Sequence, residues 1–180
     1  MRIGFFDGEM TNLNADYGQL LCWCICEYDT KKPYYTNMRT FKLHDYKNAR
    51  WDDSGLAKDI KEAMSEYDLV VSWNGRRFDI PFLNTRLEDA QLDTYKVNRH
   101  LDLLYTSRFK LKLSNNKLDT VSKYLKAPAN KTFLDPVTWR RAMGGDKKSY
   151  EYIIKHCQID VAILAHVYHR LRPMIDLKHT

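Results

Sequence analysis

Residues 68–73, DLVVSW, form a short apolar run with none of the alternation of a half-solvated strand. Such a run is what a strand buried on both faces looks like, and such strands need helices on either side. The flanks supply them. Residues 55–67, GLAKDIKEAMSEY, carry Leu56, Ile60, Ala63 and Met64 at helical spacing, with Asp53 or Ser54 as N-cap. A second helix is predicted to begin near Arg77 or Phe78 and run through FLNTRLEDA. Further upstream, RIGFFD, QLLCWCICEYD and YYTNMRTFKL read as three strands, the last two joined by a turn at TKKP. Beyond residue 95 the pattern is mostly helical: LDLLYTSRF, LDTVSKYL, and a long helix from about Lys148 to Arg172 stopped by Pro173. On that helix Ile153, Cys157, Val161, Leu164, Tyr168 and Leu171 make one apolar stripe, while His166 and His169 read as exposed or partly buried surface residues. The order of elements predicts an α/β layered fold in a single domain over residues 1–180.

Composition narrows the class. The chain is 44% hydrophobic and 29% charged, with few glycines and prolines, which excludes disordered and fibrous types. No apolar stretch is long enough to span a membrane and the N-terminus does not have the make-up of a secretory signal, so a soluble, cytoplasmic protein is expected. Cys22, Cys24 and Cys26 share one strand face, where neighbours cannot easily bond to each other, and Cys157 is distant in sequence; buried reduced thiols are expected. Net charge is +6. Residues 1–95 carry 12 Lys and Arg against 16 Asp and Glu, whereas residues 96–180 carry 17 against 7. An acidic half suited to cations thus precedes a basic half suited to a polyanion.

Three places carry chemistry. In FFDGEM, residues 5–10, Asp7 and Glu9 point to the same face of a strand, where two like charges repel unless a positive charge lies between them. In SWNGRRFDIPFL, Asp79 falls at the start of a helix just after the buried strand, a usual position for ligand sites in α/β sheets. In HCQID, His156 and Asp160 stand one helical turn apart at the edge of the apolar stripe. Each also has an ordinary structural reading: a solvated turn, a helix cap, a surface ion pair.

Taken together and in order, FFDGEMTNL, WNGRRFD and YIIKHCQIDV resemble the three exonuclease motifs of the DEDD family of 3′-to-5′ exonucleases, most closely the proofreading domains of family B DNA polymerases. The resemblance spans nearly the whole chain, with Trp139, Gly145 and Asp146 matching the family's W…GD element. It implies an RNase H-like fold, a central mixed β-sheet flanked by α-helices. It implies that Asp7, Glu9, Asp79 and Asp160 hold two divalent cations, Mg²⁺ or Mn²⁺, for phosphodiester hydrolysis. The residue between the first two acids is Gly8, where the family has a larger apolar residue, and a looser strand end is expected there. The family has Tyr four residues before the last Asp, or His five before it; here His156 stands at the Tyr spacing, as a general base or as a residue that orients the water.

By the same resemblance Thr11 and Leu13 grip the terminal nucleotide. Asn74, Arg76, Arg77 and Asp102 are candidate substrate contacts, with Arg108, Lys110 and Lys112 as further phosphate contacts. The expected substrate is the 3′ end of single-stranded nucleic acid, DNA before RNA, and a protein partner in a replication, repair or nucleic-acid-processing complex is a further expectation. The alternatives are a structure-selective endonuclease on the same scaffold, a binding module without catalysis, and a protein-binding face made by the basic half.

Overall fold

The protein is described by a computed structural model over residues 1–48, 50, 52–128 and 132–175; the last residues of the expected domain, 176–180, lie outside the described residues. Five strands, β1 (Ile3–Met10), β2 (Leu20–Tyr28), β3 (Tyr35–Lys42), β4 (Leu69–Ser72) and β5 (His100–Asp102), form one sheet in the order β3-β2-β1-β4-β5. The first three pair antiparallel, while β4 pairs parallel with both β1 and β5, so the sheet is mixed. Among the described residues six α-helices accompany it: α1 (Ser54–Ser65), α2 (Asp79–Asp89), α3 (Leu103–Lys110), α4 (Leu118–Tyr124), α5 (Pro136–Met143) and α6 (Lys147–Leu171). The fold is α/β and RNase H-like, as the motifs implied.

Strand alternation assigns each helix to a face. Phe5, Asp7 and Glu9 stand opposite Cys26, Cys24 and Cys22, and this face meets α6, through Tyr168 against Phe5 and Gln158 against Thr40. Phe6 and Gly8 stand on the other face with Trp23 and Ile25, where Arg39 reaches the end of α1. Phe5, Phe6 and Trp23 are wholly buried, and burial of each contributes roughly 1.5–3 kcal/mol. That offsets the cost of placing two carboxylates next in the same strand.

The three strand cysteines are buried free thiols, and Cys157, distant in sequence, packs against Cys22 and Cys24 from α6. Burial pushes the Cys157 thiol well above its usual pKa. It donates a hydrogen bond to the Asp7 carbonyl at 3.3 Å, tying the strand that carries the acids to α6.

Four local expectations need correction. The first strand runs on to Met10, so Asp7 and Glu9 lie within it. The segment LDLLYTSRF is not helical throughout: residues 100–102 extend β4's edge as β5, and Asp102 then caps α3. Asp53 occupies the N-cap of α1, yet its carboxylate makes no cap bond, because Leu20 and Arg86 take it. His166 is buried, with Nε2 3.2 Å from the Leu125 carbonyl, since the helix is covered by α4 on that side.

Gly8 does not loosen β1. A Cβ there would lie 2.6 Å from the ring of Trp23, its cross-strand partner, so the indole fills the room a larger residue would take.

Candidate active site

The pairing of β4 with β1 ends at Phe5, which leaves the edge of β1 beyond it open toward α2. Asp79, the first residue of α2, fills that edge: its Oδ1 accepts the Gly8 N–H at 3.1 Å. Asp79 is buried, and burial is the main reason its carboxyl is pushed up to about 7; the Gly8 amide pulls it down, and the charge of Asp102 adds to the rise. From the opposite side α6 brings His156 and Asp160, both buried. His156 Nε2 lies 3.8 Å from Glu9 Oε1 and 3.7 Å from Asp160 Oδ2, so one imidazole bridges the first and third motifs. Its other nitrogen, Nδ1, is 2.5 Å from Thr132 Oγ1. Tyr152, one turn earlier, is turned to the same loop, its hydroxyl donating to the Phe133 carbonyl at 2.9 Å.

β1, α2 and α6 therefore converge on one strand end with four carboxylates and one imidazole. Beside it lies a cleft of about 830 Å³ lined by Glu9, Thr11, Leu13, Phe78, Trp139 and Arg140, among others. Leu13 is 80% exposed at its rim. The W…GD element divides its labour: Trp139 lines the cleft, while Gly145 turns the chain at φ +91 and Asp146 caps α6 by accepting the Ser149 N–H at 2.9 Å.

Other sequence candidates are placed differently. Asp102 is buried and accepts the main-chain N–H groups of Asn74, Arg76 and Leu104, so its carboxylate shapes the loop before Asp79. Asn74 is a turn residue with φ +67 in that loop. Arg76 donates to the His100 carbonyl and, with Lys110, borders a separate groove of about 410 Å³ at the end of β5. Arg77 is exposed beside Leu13, on the far side of the 11–19 loop from Glu9. Arg108 and Lys112 are exposed. Sequence reasoning missed Arg140 on the cleft and Thr132 on His156. A signal for α5 existed: Asp135 before Pro136 is an N-cap followed by a proline at the first helical position, and Asp135 does accept the Val137 N–H at 2.7 Å.

The donor set fits divalent cations that prefer oxygen, since all four acids present carboxylates, and a buried Asp79 needs a proton or a nearby positive charge. Among the described residues, no three His, Cys, Asp or Glu side chains already enclose a single point. No helix among the described residues is long and apolar enough to cross a membrane.

Comparison with curated proteins finds no match. Among solved structures, the family B DNA polymerase of the hyperthermophilic archaeon Pyrobaculum calidifontis is similar with a TM-score of 0.71 at 18% identity, covering 96% of this chain and 24% of the polymerase. The chain thus spans about a quarter of that polymerase's length, and the likeness is one of fold. It agrees with the resemblance read from the three motifs. The family model of the RNase H superfamily matches residues 4–172. RNase H-like nucleases generally use divalent metals, and the match supports a nuclease-type function. Because it takes in the whole path from β1 to the end of α6 along which the four acids are distributed, the chain belongs to the RNase H superfamily.

Proposed function

We propose that this chain is a cation-dependent 3′-to-5′ exonuclease acting on single-stranded ends. The observation that carries this reading is the meeting of Asp79, Glu9, His156 and Asp160 at one strand end beside an open cleft with apolar and basic walls. Asp7, Glu9, Asp79 and Asp160 would hold two Mg²⁺ or Mn²⁺ ions, which supply a more acidic attacking water and charge to stabilise the leaving 3′-oxygen. The chain's own groups do the rest. Thr11 and Leu13 seat the terminal nucleotide, Trp139 offers a face to a base, and Arg140 reaches phosphate. His156 takes the proton of the attacking water at Nε2; water's oxygen bonds to phosphorus, the bond to the 3′-oxygen breaks, and a nucleoside monophosphate departs. DNA is preferred to RNA in this reading because the similar structure is a DNA polymerase. A role inside a larger replication, repair or processing complex belongs to the same proposal.

Thr132 tests the part given to His156. If the Thr132 hydroxyl accepts Nδ1–H, the Nε2 lone pair faces Glu9 and Asp160, which is the tautomer a base needs. Thr132→Val keeps the shape and removes the acceptor, and is expected to lower kcat about tenfold with KM little changed. Equal kcat in the two proteins would show that Thr132 does not set the tautomer of His156.

The deciding experiment is a time course on 3′- and 5′-labelled single-stranded DNA and RNA of one sequence, with a circular DNA, in Mn²⁺, Mg²⁺ or EDTA. The expected result is a ladder shortening from the 3′ end, absent in EDTA and absent on the circle. Cutting of the circle would replace the reading by an endonuclease, and binding without any cleavage would replace it by a binding module.

A further inference from the structure

The 11–19 loop follows β1 and forms the ridge between two clefts. Leu13 borders the one that holds Glu9, and also a smaller one of about 310 Å³ that it shares with Arg77 and Phe82. The loop's neck is closed by the Thr11 N–H to the Gln19 carbonyl at 2.9 Å and the Gln19 N–H to Thr11 Oγ1 at 2.8 Å. Its tip has no strand or helix of its own and stands largely in solvent. A loop of that kind holds its place only through what anchors its back.

That anchor is a buried ion pair. Arg86, in the last turn of α2, directs Nε at both oxygens of Asp53 at 3.1 Å and Nη2 at Oδ1 at 2.9 Å. The side chains are 10% and 1% exposed. The remaining donor and acceptor positions serve the loop. Arg86 Nη1 donates to the Ala15 carbonyl at 3.2 Å, at the loop's middle, and Asp53 Oδ2 accepts the Leu20 N–H at 2.8 Å, where the chain leaves the loop for β2. Asp89 adds a contact from the rim at 3.0 Å. α2 begins with Asp79 and carries Arg86 two turns later, about 10 Å along a rigid helix. One helix therefore sets both the carboxylate at the strand end and the position of the loop that walls the cleft.

We propose that the Asp53–Arg86 pair is a positioning device that locks the 11–19 loop at the spacing from Asp79 that a terminal nucleotide requires. The proposal rests on the nuclease reading and adds residues that touch neither substrate nor cation. Lys in place of Arg86 keeps the charge but has no fork with which to hold Asp53 and Ala15 together. A loosened loop weakens seating of the nucleotide and leaves the acids in place, so binding suffers and the chemical step does not.

The test uses the full chain and two variants, with steady-state cleavage of single-stranded DNA in Mn²⁺ and amide hydrogen exchange side by side. Arg86→Lys is expected to raise KM about tenfold with kcat within about twofold, and to speed exchange at residues 12–18 and Leu20 while β1 and the rest of β2, from Leu21 on, exchange as before. Gly18→Ala reaches the loop without touching the pair, because its Cβ would lie 2.6 Å from the Asn14 carbonyl and 3.0 Å from Phe82; it is expected to raise KM likewise. Unchanged exchange in the loop of Arg86→Lys, or a fall in kcat that tracks a loss of folded protein, overturns the proposal while leaving the nuclease reading intact. A wild-type chain that cleaves nothing overturns the nuclease reading and with it the loop's part in catalysis.

Discussion

Asp7→Asn is expected to lower cleavage of single-stranded DNA by about 10⁴-fold or more while leaving the protein folded. The side chain keeps its shape, and the strand keeps its pairing with Cys24 and the bond from Cys157 to its carbonyl, since both use the main chain. What is lost is one of two like charges on the same strand face. Without cations that loss relieves repulsion from Glu9, so the variant's melting temperature in EDTA should equal or exceed that of the wild type. With Mn²⁺ the order should reverse, because an ion bound only by the folded state stabilises it by mass action, and a weakened site forfeits that gain. Single-turnover cleavage and calorimetry with and without Mn²⁺ measure all three effects. Cleavage retained to within tenfold would remove Asp7 from the site.

How much of this was legible in the sequence follows from the range over which each signal acts. The strand face of Cys22, Cys24 and Cys26, the apolar run at β4 and the stripe on α6 are periodic over many residues, so local reading located those elements to within a few positions. β5 has three residues, too few to show a period, and its parallel pairing with β4 is set by partners thirty residues away. The acids were legible because their order along the chain carried the meaning, although only Asp79 stands at an element's end, with Asp7 and Glu9 inside β1 and Asp160 midway along α6.

Asp53 shows the opposite case. Locally it is an N-cap; in the fold its carboxylate goes to Leu20 and Arg86, thirty-three residues distant on either side, because a buried guanidinium left unpaired would cost more than an unsatisfied first turn exposed to water. Thr132 and Arg140 were likewise invisible. A Thr, or one Arg of a neighbouring pair, acquires a role only when tertiary packing brings it to His156 or to the cleft.

Asp79→Asn separates the cost of the site from its use. Burial raises the Asp79 carboxyl to about 7, against about 3.9 in an unfolded chain, so between those values the folded protein binds more protons than the unfolded one. Stability contributed by this group is complete below about pH 4 and is lost as pH rises through about 7, a decline of roughly 2–4 kcal/mol in the absence of cations. The amide of Asn still accepts the Gly8 N–H but does not ionise, so the variant's stability curve in EDTA should lack the decline that Asp79 contributes to the wild type across that window. At pH 8 the variant is expected to be the more stable protein and the inactive one, with cleavage down by about 10³-fold or more. Added Mn²⁺ should raise the wild-type melting temperature at pH 8 and raise the variant's less, because the variant keeps Asp7, Glu9 and Asp160 but lacks the buried charge that a cation offsets. Parallel curves for the two proteins from pH 4.5 to 8 would mean that water reaches Asp79 in solution, and that its carboxylate is held at the strand end by the Gly8 amide alone.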